Sequence, residues 1–95
     1  MLWGVTRRYR FDPADSLLIG TYVRESFVPV LRKAPGFVAY YWLNAGDGNG
    51  VSLSLYTDKA GADASVSIAA EFVRTHVADL VGDPEVVEGR IAAHC

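Results

Sequence analysis

The sequence predicts an α+β domain with a ferredoxin-like β-α-β-β-α-β order, in which two helices cover one face of a four-stranded antiparallel sheet. Two segments carry apolar residues at helical spacing, and four others have the alternating or continuous apolar pattern of strands. Residues that favour turns separate these segments. The 95 residues leave room for one domain, residues 1–95, and contain no repeat or linker.

In the first half of the chain, Leu2 to Arg10 is predicted to form a strand because apolar and polar residues alternate along it. Asp12 is expected to cap the following helix, with Pro13 in the first helical position. The apolar stripe of this helix consists of Ile19, Val23, Phe27, Val30 and Leu31. Pro29 should kink or loosen the last turn, and Ala34-Pro35-Gly36 ends the helix.

The central hairpin is predicted from two strands and the glycine-rich segment between them. Phe37 to Leu43 is apolar throughout, which is typical of a strand buried on both faces. Asn44 to Gly50 supplies the connection, because glycine and asparagine tolerate positive φ. This glycine-rich segment lacks the residues of a phosphate or calcium loop. Val51 to Tyr56 then alternates as a strand.

Thr57 or Asp58 is expected to cap the second helix. Its apolar stripe consists of Ile68, Ala69, Phe72, Val73, Val77 and Leu80. Gly82-Asp83-Pro84 ends this helix, and Val86 to Ala93 is predicted to form the last strand.

Charge and cysteine content narrow the classes of function. Nine Lys and Arg residues against 11 Asp and Glu give a net charge of −2, which argues against nucleic acid as a partner. No apolar run reaches the length of a membrane span, and the charges at the N-terminus follow its apolar residues, the reverse of a secretory signal. With Cys95 as the single cysteine, a cytoplasmic location is expected, and His94 beside Cys95 is too small a set for a metal site.

The sheet is expected to have more apolar surface than two helices can cover. Pairing Leu43 with Val51 places Phe37, Ala39, Tyr41, Leu43, Val51, Leu53 and Leu55 on one face. The other face then holds Val38, Tyr40, Trp42, Ser52, Ser54 and Tyr56. Each large apolar side chain left in water forgoes about 1.5–3 kcal/mol. We therefore expect a homodimer formed through the sheet face.

Three short motifs carry a resemblance to a known family. Thr6 with Tyr9, Ala34-Pro35-Gly36-Phe37, and Leu55-Tyr56-Thr57-Asp58 together resemble the dimeric α+β barrel superfamily. Within it, residues 2–94 are similar to the antibiotic biosynthesis monooxygenase domain. The resemblance implies paired sheets at a dimer interface and a pocket in each protomer between the sheet and its own helices. It also implies cofactor-independent oxygenation of polycyclic phenols, or haem degradation.

The catalytic residues of that family are not matched in this chain. Quinone-forming members carry tryptophan at the position of Tyr56, asparagine at that of Ser52 and tyrosine at that of Ala62. Haem-degrading members use an asparagine on the first strand, where this chain has Arg7 or Arg8, and a histidine on the second helix. Only His76 could correspond to that histidine, and neither catalytic set is carried over to this chain.

The residues of a candidate ligand pocket are Tyr40, Trp42, Ser52, Ser54, Tyr56 and Phe72. Their rings and hydroxyls suit a flat ligand, although the same residues are equally compatible with plain sheet core. Tyr56 and His76 are the candidate catalytic residues. Tyr56 would donate a hydrogen bond to a phenolate or an oxygen adduct, whereas His76 is more often found stabilising a helix C-terminus. Arg7, Arg8 and Arg10 are interpreted as a solvated strand end or as partners of Glu88.

Three functions are compatible with this sequence. The first is a cofactor-independent monooxygenase, an oxidoreductase acting on an aromatic or polyketide-like small molecule. The second is a non-catalytic dimeric module that binds a small hydrophobic ligand. Haem binding or degradation is the third, and it depends on His76. No cofactor or metal is expected for the first two.

Overall fold

The computed structural model describes residues 2–95 and shows the predicted ferredoxin-like α+β fold. Met1, the first residue of the predicted domain, lies outside the described residues. The four strands of the sheet are β1 (Trp3–Arg10), β2 (Phe37–Gly46), β3 (Asn49–Tyr56) and β4 (Glu85–Arg90). They lie in the order β2-β3-β1-β4 with every neighbouring pair antiparallel. Both helices pack on the same face of this sheet.

The first helix occupies residues 13–31 and changes geometry along its length. A 3₁₀ turn, Pro13–Asp15, leads into an α-helical segment, Ser16–Tyr22. As predicted, Asp12 caps this start: its Oδ1 accepts a hydrogen bond from the Ala14 amide at 2.9 Å. A wide π turn, Val23–Phe27, and an α-helical turn, Val28–Leu31, complete the helix. The π turn ends two residues before Pro29, which has no amide to donate and would crowd the preceding turn of a regular helix.

The second helix occupies residues 59–77 and is fixed closely to the sheet at its start. Its α-helical part is Lys59–Phe72, followed by a π turn, Val73–Val77. Asp58 is the N-cap, since its side chain accepts from the Gly61 amide at 3.0 Å. A Cβ at Gly61 would lie 2.2 Å from the Pro35 carbonyl oxygen, so only glycine lets the helix approach the connection before β2 this closely.

The β2–β3 hairpin has the predicted register, with Leu43 opposite Val51 and Tyr41 opposite Leu53. The connection is shorter than predicted, because the strands continue to Gly46 and Asn49 and leave the two-residue turn Asp47-Gly48. Both turn residues have positive φ, 53° and 78°, as a tight hairpin requires. A residue outside the hairpin also stabilises its tip: the amide of Phe11, which follows β1, donates to the Gly48 carbonyl at 2.9 Å.

Three expectations are corrected by the structure. An irregularity between Phe37 and Ala39 shifts the register, so Phe37 packs beside Tyr56 on the helix-covered face while Val38 is exposed. The two residues thus exchange the faces assigned to them. The last strand spans Glu85–Arg90 instead of Val86 to Ala93. Val30 belongs to the predicted stripe of the first helix but is exposed.

The core lies between the helices and the covered face of the sheet. Its larger cluster consists of Tyr9, Ile19, Val23, Phe27, Leu31, Ala69, Phe72, Val77 and Val81. A smaller cluster of Val5, Ala34, Tyr56 and Ala62 lies under the start of the second helix. No helix within residues 2–95 combines the length and the apolar character needed to cross a bilayer.

Candidate functional site

An apolar cavity lies between the covered face of the sheet and both helices. The Phe27 ring is 4.9 Å from Phe72 and 5.5 Å from Tyr40, measured between centroids, and together these rings form much of its wall. The complete lining is Tyr9, Ile19, Tyr22, Val23, Phe27, Tyr40, Trp42, Ala69, Phe72, Val73, Val77 and Val81. Its volume is about 30 Å³, which is room for about one water molecule.

The predicted pocket residues occupy two different positions relative to this cavity. Tyr40, Trp42 and Phe72 line it. Ser52, Ser54 and Tyr56 lie on the same covered face but are fully buried in the sheet and do not contribute to the lining. The serines are small, as expected, but neighbouring side chains fill most of the space above them.

Two of the buried hydroxyls have no hydrogen-bond partner within residues 2–95. These are the Ser52 Oγ and the Tyr56 hydroxyl oxygen. The Tyr40 hydroxyl lies near Ser52, outside hydrogen-bond geometry. A buried polar group without a partner costs about 1–3 kcal/mol, so both hydroxyls remain available to an oxygen atom that reaches them.

Burial changes the acid–base behaviour of the two tyrosines that line the cavity. Burial raises the pKa of the Tyr40 phenol far above its usual value, and it also raises the pKa of Tyr9. The Arg7 guanidinium opposes both shifts. Both phenols are therefore neutral hydrogen-bond donors at physiological pH and not bases.

Arg7 is the functional candidate that the sequence interpretation missed. Its side chain is 1% exposed, and it is the largest of the fully buried side chains. Its Nη1 donates to Ser54 Oγ at 3.4 Å and its Nη2 donates to Ser65 Oγ at 3.0 Å. The expected solvated position holds for Arg8 and Arg10 but is wrong for Arg7.

A second and larger opening lies beside Arg7, between the second helix and the β1–β4 side of the sheet. This cleft has a volume of about 360 Å³, in the range of pockets that hold small molecules. Its lining is Arg7, Tyr9, Val66, Ala69, Ala70, Val73, Arg74, Ala78, Val81, Asp83, Pro84 and Val86. Tyr9, Ala69, Val73 and Val81 also line the apolar cavity, so the two spaces share a wall.

The alternation of inward-facing and outward-facing residues along β1 could have indicated that Arg7 is buried. Trp3, Val5 and Tyr9 identify the inward-facing side of this strand, and Arg7 has the same parity. Opposite Arg7 stand Ser52 on β3 and Val86 on β4. Strand alternation alone therefore places the guanidinium under the helices, beside the small serine.

The predicted ion pair of this arginine cluster with Glu88 is not formed. Among residues 2–95 the salt bridges are Lys59–Asp63, at 2.9 Å, and Arg74–Glu71. Lys59 donates to Asp63 and holds the pKa of that carboxyl below its usual range, while the neighbouring Asp63 raises the pKa of Glu88. These groups lie at the surface.

His76 lies in the π turn that ends the second helix. Its imidazole is exposed, 4.8 Å from the Phe72 ring between centroids, and does not line either opening. His94 and Cys95 are exposed at the C-terminus. The described part of the chain holds no cluster of three or more His, Cys, Asp or Glu side chains arranged to bind a metal ion.

Comparison with solved structures relates the fold to several proteins of low sequence identity. A Nitrosomonas europaea protein of unknown function, NE2512, superposes with a TM-score of 0.82 at 20% identity, covering 99% of this chain and 92% of that one. The Streptomyces coelicolor monooxygenase ActVA-Orf6, solved with nanaomycin D, superposes with a TM-score of 0.78 at 15% identity, covering 98% of this chain and 89% of that one. SnoaB, a cofactor-independent oxygenase from Streptomyces nogalater, superposes with a TM-score of 0.71 at 17% identity, covering 98% of this chain and 95% of that one.

No family model and no curated protein matches the sequence. At these identities the structural likeness establishes the fold and leaves the activity open. The resemblance found in the sequence motifs is confirmed at that level: this chain has the fold of the antibiotic biosynthesis monooxygenase-like proteins.

Proposed function

We propose that the protein is a cofactor-independent oxygenase whose substrate is a planar aromatic or polyketide-like molecule bound between the sheet and the helices. The observation that carries the proposal is the covered face of the sheet, where an aromatic wall adjoins buried hydroxyls that have no partner. That the same fold serves two oxygenases supports it.

The proposed reaction balances without an external reductant. An anthrone-type methylene group loses two hydrogens and gains one oxygen atom of O₂ as a carbonyl, and the second oxygen atom leaves with both hydrogens as water. The substrate supplies all the electrons. The protein binds and orients the ring system and stabilises negative charge on the substrate oxygen, for which the unpartnered Tyr56 hydroxyl is the candidate donor.

A substrate of several rings needs more room than the cavity of about 30 Å³. The two π turns, Val23–Phe27 and Val73–Val77, both contribute to the cavity lining, one from each helix. Such turns interrupt the regular hydrogen bonding of a helix and often occur at functional sites. We therefore assign the opening of the cavity to these two turns, which would bring a substrate within reach of the hydroxyls beneath.

The same proposal includes a homodimer formed through the bare face of the sheet. Tyr41, Leu43 and Val87 on that face are 56%, 58% and 60% exposed. Contiguous apolar surface of this kind marks an interface, and a twofold axis would cover both copies at once.

A non-catalytic protein that binds a hydrophobic ligand is the second candidate. This candidate is favoured by three residues, Tyr56, Ser52 and Ala62. They stand where the resemblance to the quinone-forming members implies tryptophan, asparagine and tyrosine. The aromatic cavity does not depend on those residues for binding.

Oxygen uptake with an anthrone-type substrate tests the proposal. Wild-type protein should consume one O₂ per quinone formed, and Tyr56→Phe should slow the reaction about tenfold or more by removing one hydrogen-bond donor. Tyr41→Phe is the matched control, because Tyr41 lies on the bare face, and its rate should be unchanged. If wild-type protein binds the substrate without oxygen uptake, the second candidate replaces the first.

A further inference from the structure

Arg7 is a buried positive charge that forms no salt bridge within the described chain; Glu88, two residues along β4 from its partner Val86, acts on it only at longer range. No Asp or Glu carboxylate of residues 2–95 comes within 4.0 Å of its guanidinium nitrogens. An arginine side chain stays charged at physiological pH. A charge taken out of water is costly unless an opposite charge accompanies it, and arginine is almost never fully buried without one.

The hydrogen bonds of Arg7 position the guanidinium without neutralising it. Its two acceptors are the hydroxyls of Ser54 and Ser65. Each serine in turn donates to a main-chain carbonyl, Ser65 to Ala62 at 2.7 Å and Ser54 to Val5 at 3.4 Å. Two of the five N–H groups of a guanidinium are thus engaged by neutral oxygens, and three remain for another acceptor.

Arg7 belongs to the lining of the cleft of about 360 Å³. Apart from Arg7, its walls are largely apolar and include Val66, Val73 and Val86. Arg74 also lines the cleft, with its side chain 72% exposed and paired with Glu71. Asp83 is the one carboxylate in the lining; it is exposed and forms no salt bridge with Arg7.

We propose that this cleft binds a small organic carboxylate, whose two oxygens accept hydrogen bonds from Arg7 while its hydrocarbon body rests on the valine-lined walls. A guanidinium matches a carboxylate in a paired geometry. One buried cation neutralises the single charge of a carboxylate, whereas inorganic phosphate carries more charge and has no apolar part for these walls. The site stands whether or not the cavity next to it supports oxygenation.

Binding of 1-naphthoate and of 1-naphthamide to the full chain tests the charge requirement, because the two probes share a ring system and differ in charge. Isothermal titration should show naphthoate binding about tenfold or more tightly than naphthamide, because only the carboxylate forms charge-assisted hydrogen bonds with Arg7. Inorganic phosphate should bind more weakly than naphthoate. In wild-type protein, amide NMR shifts should change at Ser65, whose hydroxyl accepts from Arg7, and at Val66 and Val86, which line the cleft.

Arg7→Met should remove the preference for naphthoate and leave naphthamide binding within about twofold of wild type, because methionine fills much of the space without the charge. Arg8→Met is the matched control: Arg8 is the next residue on β1 but lies exposed on the opposite face, and its substitution should leave both affinities unchanged. Equal binding of the two probes, an unchanged preference in Arg7→Met, or tighter binding of phosphate would overturn the proposal.

The wild-type measurements do not require the variant to fold. If naphthoate shifts the amide NMR signals of Phe27 and Tyr40 instead of those of Ser65 and Val86, the ligand occupies the apolar cavity. The proposed carboxylate site is then wrong, while the proposed function stands. If naphthoate binds at Arg7 and no oxygen uptake occurs with an anthrone-type substrate, the carboxylate site stands and the proposed oxygenase function is wrong.

Discussion

The two faces of the sheet are built from the same strands but have opposite characters. The covered face buries a guanidinium and two serine hydroxyls, those of Arg7, Ser52 and Ser54. The bare face leaves Tyr41 and Leu43 largely exposed. A buried polar group costs free energy unless it is hydrogen-bonded, and a contiguous exposed apolar patch marks a contact surface. The two proposals follow this difference: ligand chemistry is proposed for the covered face and association for the bare one.

A charge on the bare face should produce the largest effect. Leu43→Glu places one carboxylate per copy at the proposed twofold interface, so the dissociation constant should rise about a hundredfold or more, equivalent to about 3 kcal/mol. Sedimentation velocity over a range of protein concentrations measures the change. Leu17→Glu is the matched control, since Leu17 is 86% exposed on the first helix, and it should sediment as wild type does. A wild-type protein that is monomeric at micromolar concentration contradicts the assignment.

Removing equal volume from the two faces should separate packing from association. Val5→Ala is expected to lower the free energy of unfolding by about 2–3 kcal/mol, because Val5 is 0% exposed beneath the second helix. Val87→Ala, on the other face, should change it by less than about 0.5 kcal/mol. Both are measured by urea unfolding in the Leu43→Glu background, which keeps association out of the comparison. Equal losses would mean that the faces are not distinguished by burial.

Within the covered face, the two serines should respond in opposite directions. Ser52→Ala removes an unpartnered hydroxyl and should stabilise the protein by about 0.5–1 kcal/mol. Ser54→Ala removes one of the two acceptors of Arg7 and the donor to the Val5 carbonyl, so it should destabilise the protein by about 1 kcal/mol. Urea midpoints of the two variants provide the measurement. Destabilisation by Ser52→Ala would show that its hydroxyl has a partner in solution.

The smallest effect concerns high pH. The pKa of Tyr40 is raised from 10.0 by burial, so above pH 10 the unfolded chain loses this proton while the native chain keeps it. Stability is then fully present below pH 10 and falls as pH rises above it. In the Leu43→Glu background, which keeps association out of the comparison, Tyr40→Phe should make this decline shallower in urea unfolding between pH 9 and pH 11, whereas Tyr41→Phe on the bare face should not. Parallel curves for both variants would contradict the burial of the Tyr40 phenol.

Much of the fold could be predicted because local signals agreed with one another. The caps at Asp12 and Asp58 and the register that pairs Leu43 with Val51 follow from side-chain chemistry and alternation. The exchange of Phe37 and Val38 could not be predicted, because the irregularity in β2 inserts one residue that composition does not mark.

The site was harder to predict than the fold. Tyr40 and Trp42 were placed by parity, which the register supports, but the volume left above Ser54 depends on how closely two helices approach, and Phe27 and Phe72 fill it. Arg7 had the correct parity on β1, yet general expectation keeps arginine in solvent. In a small fold, an exception to that expectation is a useful indicator of a binding site.

The contact between Phe11 and Gly48 has a practical consequence for engineering this chain. A Cβ at Gly48 would lie 2.1 Å from the Phe11 carbonyl oxygen, and nothing lies within 4 Å of a Cβ built at Gly82. Hairpin tips are often chosen for inserted epitopes or fluorescent labels. Here an insertion would break the contact between Gly48 and Phe11, in the segment that leads into the first helix. Gly82 leaves room for a side chain, but Asp83 and Pro84 beside it line the proposed carboxylate cleft, so an insertion at either connection would disturb a contact described above.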